Sequence, residues 1–281
     1  MYSNYYLHKI ILVTGGGSGM GRALCEKLAE IDATVICTDI NTQNADETVA
    51  MITRNGKSAV ARKLDVAQLP DFEEVIGDIV KEHGRIDMIF NNAGIAITGE
   101  LRDISIDQWK KVLDINFYGV LYGSQVAYQH MIKQGSGHIV NTSSLAGVVA
   151  YIPLITPYSV SKHAVVNYTR CLRQEAKLFN IKASVVCPGL IDTPIITALP
   201  AVNAKPTWNQ DSIKQLAPGM PARDAADHIL KSVAQNKEII LFPRMAVTLY
   251  LFTCYMKAAY LKVAFNLLKN FRENYRINDR S

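Results

Sequence analysis

Short apolar runs rich in β-branched residues alternate with longer amphipathic spans through most of the chain. That alternation limits the available folds more than any other feature. Runs at 9–14 (KIILVT), 33–38 (ATVICT), 58–64 (SAVARKL), 86–90 (IDMIF), 138–143 (HIVNTS), 182–187 (KASVVC) and 238–242 (EIILF) read as strands. Several are apolar without a two-residue period, the pattern of strands covered on both faces. Between them, helical spans are expected at 19–31, 43–55, 71–83, 105–134, 157–179 and 222–235, and Ser105 with Gln108 is spaced as a capping box opening the fourth. Strand–helix alternation of this kind implies right-handed βαβ crossovers and a doubly wound parallel sheet of about seven strands.

No repeat, low-complexity tract or linker divides the chain. The segment 192–221 breaks the rhythm with Pro194, Pro200, Pro206, Pro218 and Pro221, and is expected to form a flap. The expected organisation is one α/β unit over 1–243 carrying that flap, followed by an apolar and basic helical extension over 244–281. Of the net charge of +5, the extension holds all: Arg244, Lys257, Lys262, Lys269, Arg272, Arg276 and Arg280 against Glu273 and Asp279, seven minus two. The body is therefore neutral, which argues against nucleic acid as a partner. Cys25, Cys37, Cys171, Cys187 and Cys254 are scattered without CxxC or His-rich company. They read as reduced thiols, and no metal is expected. The start, MYSNYYLHKIILVTGG, has neither a basic leader region nor a long apolar stretch, so a cytoplasmic location is expected.

After the first strand comes TGGGSGMGRAL at 14–24. Its glycines permit a tight turn and close approach of a ligand to the backbone. The helix opening near Gly19 presents free N–H groups and its positive end to a pyrophosphate. The spacing of Gly15, Gly19 and Gly21 is wider than the common dinucleotide fingerprint. Asp39 closes the second strand, where a carboxylate accepts ribose hydroxyls and repels a 2′-phosphate. No Lys or Arg follows it directly, so NAD is expected over NADP.

With TGGGSGMG (14–21), Asp65-Val66, NNAG (91–94), Asn116, VNTSS (140–144), YSVSK (158–162) and PGLIDTP (188–194) in this order, the chain resembles the short-chain dehydrogenase/reductase family over roughly residues 8–243. The resemblance implies a Rossmann-type fold and a set of roles. Gly15, Ser18, Gly19 and Met20 wrap the pyrophosphate, and Asp39 takes the adenosine ribose. Asp65 flanks the adenine through its side chain and Val66 through its amide. Asn92, Ala93 and Gly94 line the cofactor cleft, and Ile191 and Thr193 reach the carboxamide. The family's catalytic quartet falls on Asn116, Ser144, Tyr158 and Lys162, with Asn116 holding a water that links Lys162 to solvent. Ser144 rather than Ser143 matches because the family's serine is followed by two residues and a glycine, as in SLAG (144–147). The step from Ser144 to Tyr158 is one residue longer than is usual in the family, so the segment VVAYIPLITP is expected to bulge.

The Tyr158–Lys162 spacing proves little alone, because Tyr5 and Lys9 repeat it. On a helix, however, a four-residue step puts both groups on one face. There an ammonium favours the phenolate of a base whose ordinary pKa is near 10. Ser144 then steers the substrate oxygen towards Tyr158. Tyr5 and Lys9, leading into a strand, are not expected to meet. Apolar residues flank these motifs: Ile95, Ile97, Val148, Val149, Ile152, Leu154, Leu190, Ile195, Ile196 and Leu199. They suggest a low-polarity alcohol or ketone as substrate. A homodimer or homotetramer is the expected assembly. The alternative is a nucleotide-binding sensor or scaffold of the same fold without turnover.

The tail, RMAVTLYLFTCYMKAAYLKVAFNLLKNFRENYRINDRS, is uncharged from Met245 to Met256, too short a run to span a bilayer as a helix. Three readings stay open at this stage. The tail packs on its own unit or a neighbouring subunit over the substrate cleft, lies peripherally on a membrane, or anchors in one.

Overall fold

A computed structural model describes residues 2–149, 151–197, 199–208 and 219–277, with the backbone alone at 196–197. Seven parallel strands form one sheet: β1 (Ile10–Thr14), β2 (Thr34–Asp39), β3 (Ala59–Lys63), β4 (Met88–Asn91), β5 (Gly137–Thr142), β6 (Ile181–Pro188) and β9 (Ile239–Phe242). They are ordered β3-β2-β1-β4-β5-β6-β9. All seven coincide with the apolar runs read from the sequence. The central strand β1 is buried at every position, which is why it shows no alternation. The edge strand β3 is half-exposed and carries Arg62 and Lys63, charges that discourage a further strand from adding there.

Helices cover both faces. Packed on one are α1 (Gly19–Glu30) and α8 (Ala222–Ala234); α3 (Leu69–His83), α5 (Gly119–Gln134) and α6 (Thr156–Ala176) lie on the other. The strand order reverses between β1 and β4, so the crevice of this doubly wound sheet opens at their C-terminal ends. Thr14, Asp39, Asn91, Thr142 and Pro188 each close a strand at that edge.

The helix expected over 105–134 begins as foreseen, with both halves of the Ser105–Gln108 capping box formed. It is not continuous. A π-helical turn at Asp114–Tyr118 separates α4 (Ile106–Leu113) from α5, and Asn116 sits inside that turn. Such turns insert a residue and rotate a side chain away from the regular helical path. Of the flap expected at 192–221, residue 198 and residues 209–218 lie outside the described set. The remainder shows β7 (Ile191–Asp192) paired in parallel with β8 (Met220–Pro221), and a short helix α7 at Pro194–Thr197.

The tail forms two helices, α9 (Arg244–Tyr255) and α10 (Lys257–Asn274), rather than one. Helix α9 sets Ala246 against Leu145 and Val149. Helix α10 buries Tyr260, Ala264 and Phe271 along one stripe. Trp208 of the flap lies edge-on to Phe271 at 4.9 Å and to Tyr275 at 5.0 Å. Beyond α10, Arg276 reaches Asp103 at 3.2 Å and Glu100 at 3.5 Å, all three side chains being almost fully buried. Arg272 also pairs with Glu100. The end of the tail, with Asp279 and Arg280, lies outside the described residues.

Removing one member of a buried ion cluster leaves an uncompensated charge. Arg276→Ala is therefore expected to lower unfolding stability by about 3 kcal/mol in urea titrations, and Arg276→Lys by less. A change below about 0.5 kcal/mol would show that the cluster is solvated and not structural.

Candidate active site

One cavity of about 500 Å³ occupies the crevice. Every site residue expected from the sequence lines it except Asn116. Ser18 caps α1 in extended conformation without a side-chain hydrogen bond, so the first-turn amides are left to face the cavity. Gly19 has φ +50, and a Cβ there would lie 3.1 Å from Thr193 Cβ. A side chain at this position would crowd Thr193 across the cleft. Asn92 locks NNAG onto the loop: its backbone N–H donates to Thr14 Oγ1 at 2.9 Å and its amide nitrogen to the Thr14 carbonyl at 3.0 Å.

At the far end of the loop, the Asp39 carboxylate accepts from the backbone N–H of Gly17 and of Asn41, each at 3.0 Å. Each oxygen keeps a lone pair for a ligand hydroxyl. Arg22, a cation inside the glycine-loop motif itself, also reaches Gly17. Its guanidinium is committed there to the Gly17 carbonyl, to Thr48 Oγ1 at 2.9 Å and to Glu47 at 3.5 Å. Nearby, Asp65 accepts from the Ala67 N–H at 3.0 Å, fixing the turn around Val66. Ile40 is also in the cavity wall, 61 % exposed although apolar. Its signal in the sequence was only its place after Asp39.

At the other end stand Ser144, Tyr158 and Lys162. The adjacent serines have different surroundings. Ser143 is buried and donates to the Lys162 carbonyl at 2.7 Å. The Ser144 hydroxyl accepts from the Ala146 N–H at 3.1 Å and lies near enough to Tyr158 to favour its phenolate. Lys162 Nζ donates to the Thr142 carbonyl at 3.0 Å and lies 5.5 Å from the Tyr158 ring centre. Burial pushes the Tyr158 phenol above its ordinary pKa, opposed by the Ser144 hydroxyl. The same burial lowers Lys162 to about 8. Burial disfavours the charged form of each, so two pKa values that are nearly equal in the free side chains are pushed apart, the phenol upward and the ammonium downward.

Asn116 lies behind Gly94, fully buried. Its Oδ1 accepts from the Ile95 N–H at 2.8 Å, and its nitrogen donates to the Ile95 carbonyl at 2.8 Å and to Ser161 Oγ at 3.1 Å. Both amide donors are committed, which leaves one lone pair on Oδ1. A Cβ on Gly94 would lie 3.2 Å from that oxygen and 3.3 Å from Lys162 Nζ. Glycine is thus what lets the loop after β4 close over both groups.

Two expectations need correction. Tyr5 and Lys9 do meet, with Lys9 Nζ 4.9 Å from the Tyr5 ring centre. Residues 2–5 form a 3-10 turn and the chain bends back before β1, rather than leading straight into it. That pair is nowhere near the cavity. The apolar wall also differs. Ile95, Leu190, Ile195 and Leu199 line the cavity, whereas Val148, Val149 and Ile152 turn towards α9 and pack there. Ile97 and Leu154 are core residues. The Ile196 side chain lies outside the described set. Ile115 and Ile155 take their places in the cavity. Leu154 has φ +67, rare for a bulky residue, and its carbonyl accepts from the Gly99 N–H at 2.8 Å. The long step from Ser144 to Tyr158 includes this left-handed turn.

A family model described as short chain dehydrogenase matches residues 9–203. A cyclohexanol dehydrogenase from Acinetobacter sp. (strain SE19) is 34% identical over 197 residues, covering 69% of this chain and 77% of its own length. The probable oxidoreductase EphD of Mycobacterium tuberculosis (strain ATCC 25618 / H37Rv) is 35% identical over 195 residues. That match covers 68% of this chain but only 32% of EphD, about a third of the relative's length. Among solved structures, a short chain dehydrogenase/reductase from Burkholderia phymatum in complex with NAD superposes with TM-score 0.80 at 26% identity, covering 92% of this chain and 96% of that one.

Proposed function

The chain belongs to the short-chain dehydrogenase/reductase family of oxidoreductases. From that premise we propose that it interconverts a secondary alcohol and a ketone (or a primary alcohol and an aldehyde) of low polarity, with NAD preferred over NADP. The observation that carries this reading is the convergence of Ser144, Tyr158 and Lys162 at the apolar end of the cavity whose other end holds the glycine loop and Asp39.

The cradle suits a dinucleotide. Uncapped α1 amides and the turn at Gly19 would hold the pyrophosphate, and Asp39 the adenosine ribose. Asp65, Val66 and Ile40 would flank the adenine; Asn92, Ala93 and Gly94 would form the floor of the cleft. Lys162 would hold the nicotinamide ribose, and Ile191 and Thr193 the carboxamide. When bound, the nicotinamide supplies the acceptor or donor of the hydride.

The chain's own residues handle the proton. Tyr158 takes it from the alcohol oxygen in oxidation and returns it to the carbonyl oxygen in reduction. Ser144 holds that oxygen within reach of the phenol. The Lys162 ammonium, held by the Thr142 carbonyl, favours the phenolate while it remains charged. Asn116 acts as a positioning residue: by bracing Ile95 it keeps Gly94 over Lys162.

The NAD preference rests on the Asp39 carboxylate at the cavity and on Arg22 being already engaged elsewhere. Asp39→Ala is expected to raise the KM for NAD about tenfold or more and to narrow the gap to NADP, through loss of a charge-assisted contact. Kinetics with both nucleotides check this, and equal NAD and NADP efficiencies in the wild type would remove its basis.

Because burial raises the Tyr158 pKa, the phenolate is scarce at neutral pH. Alcohol oxidation should therefore climb about tenfold per pH unit below the apparent pKa, while carbonyl reduction, which uses the phenol, stays flat there. A flat oxidation profile from neutral to alkaline pH would contradict the assignment of the base. Tight NADH binding with no turnover across a broad substrate panel would instead favour the silent-sensor alternative.

A further inference from the structure

Helix α9 buries Ala246 and Thr253, packs Leu249 and Tyr250 half-buried beside them, and turns its remaining large apolar side chains outward. Met245, Leu251, Phe252, Tyr255 and Met256 are all exposed, Tyr255 by 82 % and Met256 by 54 %. Helix α10 adds Val263 and Phe265, exposed by 62 % and 64 %. Isolated apolar side chains on a surface are ordinary, whereas a contiguous set on two adjoining helices marks a surface that is covered by something. Its charge indicates what. From Arg244 to Arg272 there is no acidic residue, while Arg244, Lys257, Lys262 and Lys269 are exposed around the apolar groups. The first acid, Glu273, pairs with Lys269 at 3.7 Å.

No helix among the described residues is long and apolar enough to cross a membrane. Apolar and aromatic groups on a short helix, ringed by basic residues and lacking acids, fit the interface of an anionic lipid layer. We propose that α9 and α10 seat the protein on anionic phospholipid, and that the oxidoreductase site draws its low-polarity substrate from that layer. The second half of this inference rests on the function proposed above.

The link between surface and site is short. Ala246 of α9 lies against Gly189, where an added Cβ would be 2.8 Å from the Ala246 methyl group. Gly189 and Leu190 line the cavity itself. The inner face of α9 also packs on Leu145 and Val149, immediately after Ser144. The lipid-facing helix is therefore one layer from the substrate end of the site.

The test uses the full chain with phosphatidylcholine vesicles, with and without phosphatidylserine, at low and high salt. Wild type is expected to sediment with the anionic vesicles and to be released by salt. Leu251→Glu/Phe252→Glu and Lys257→Glu/Lys262→Glu should each cut the bound fraction about tenfold or more, while NADH affinity and turnover of a water-miscible alcohol stay at wild-type level. Light scattering on the same samples covers the other occupant, a second copy of the chain. The proposal is overturned if wild type stays in the supernatant, if it binds neutral vesicles equally, or if the Leu251→Glu/Phe252→Glu pair instead dissociates an oligomer. Vesicle binding by a protein that turns over no alcohol would sink the functional reading and leave the lipid surface standing.

Discussion

Tyr158→Phe is expected to lower kcat by about 10³-fold, with the affinity for NADH within about twofold of wild type. The substitution removes one oxygen and leaves the ring in its packing place, so the fold has no reason to respond. What is lost is the group that would exchange a proton with the substrate oxygen. Without it the proton must be exchanged directly with water. The residual rate should also lose the alkaline climb in the oxidation direction, because no phenol is left to titrate. Fluorescence titration with NADH and steady-state kinetics on the same preparation separate the two effects. Near-normal turnover in this variant would remove Tyr158 from the chemistry.

Lys162→Met should cost about 10²-fold or more in kcat/KM and, unlike the tyrosine change, should also weaken nucleotide binding. Methionine matches the length of the lysine stem and fills the same buried slot, which limits the structural damage. The ammonium goes, and with it the hydrogen bond to the Thr142 carbonyl and the charge that favours the phenolate. Lys162→Arg should not rescue activity. Gly94 stands close against Nζ on one side, and a broad planar guanidinium would crowd it there. A pH–rate profile adds a separate readout: the Met variant should shift the apparent pKa of oxidation upward. An unchanged profile would leave Lys162 a nucleotide-holding role only.

Much of this site could be read from residue order because it is built from strand ends. In a doubly wound sheet the C-terminal edge is common to all strands, so Asp39, Asn92 and Ser144 are brought together once the strands are identified. The relations that depend on turns were harder to see. The π-helical turn at Asp114–Tyr118 has no local signature, yet it carries Asn116 to the Ile95 backbone and commits its amide there. Val148, Val149 and Ile152 looked like pocket wall because they follow the serine; they face α9 instead, since a tail distant in sequence covers them. The buried Arg276–Glu100–Asp103 cluster joins residues far apart in the chain, and nothing in their spacing announces it.

Tyr5 and Lys9 are the most instructive case. They lie closer together than Tyr158 and Lys162 do, 4.9 against 5.5 Å from nitrogen to ring centre. Proximity of a phenol and an ammonium is therefore no mark of catalysis. The difference is in what surrounds each pair. Tyr5 is held by His138 at 3.0 Å, whereas Tyr158 and Lys162 open onto the cavity shared with the glycine loop.

The central claim is that this cavity couples hydride and proton transfer on a low-polarity alcohol with NAD. Its most direct test is NADH formation by the wild-type protein across a panel of aliphatic, alicyclic and polar alcohols, run in parallel with NADP. The account predicts NAD-dependent turnover whose efficiency rises with the apolar area of the alcohol. NADH binding without turnover on any member, or a best substrate that is polar, would contradict it.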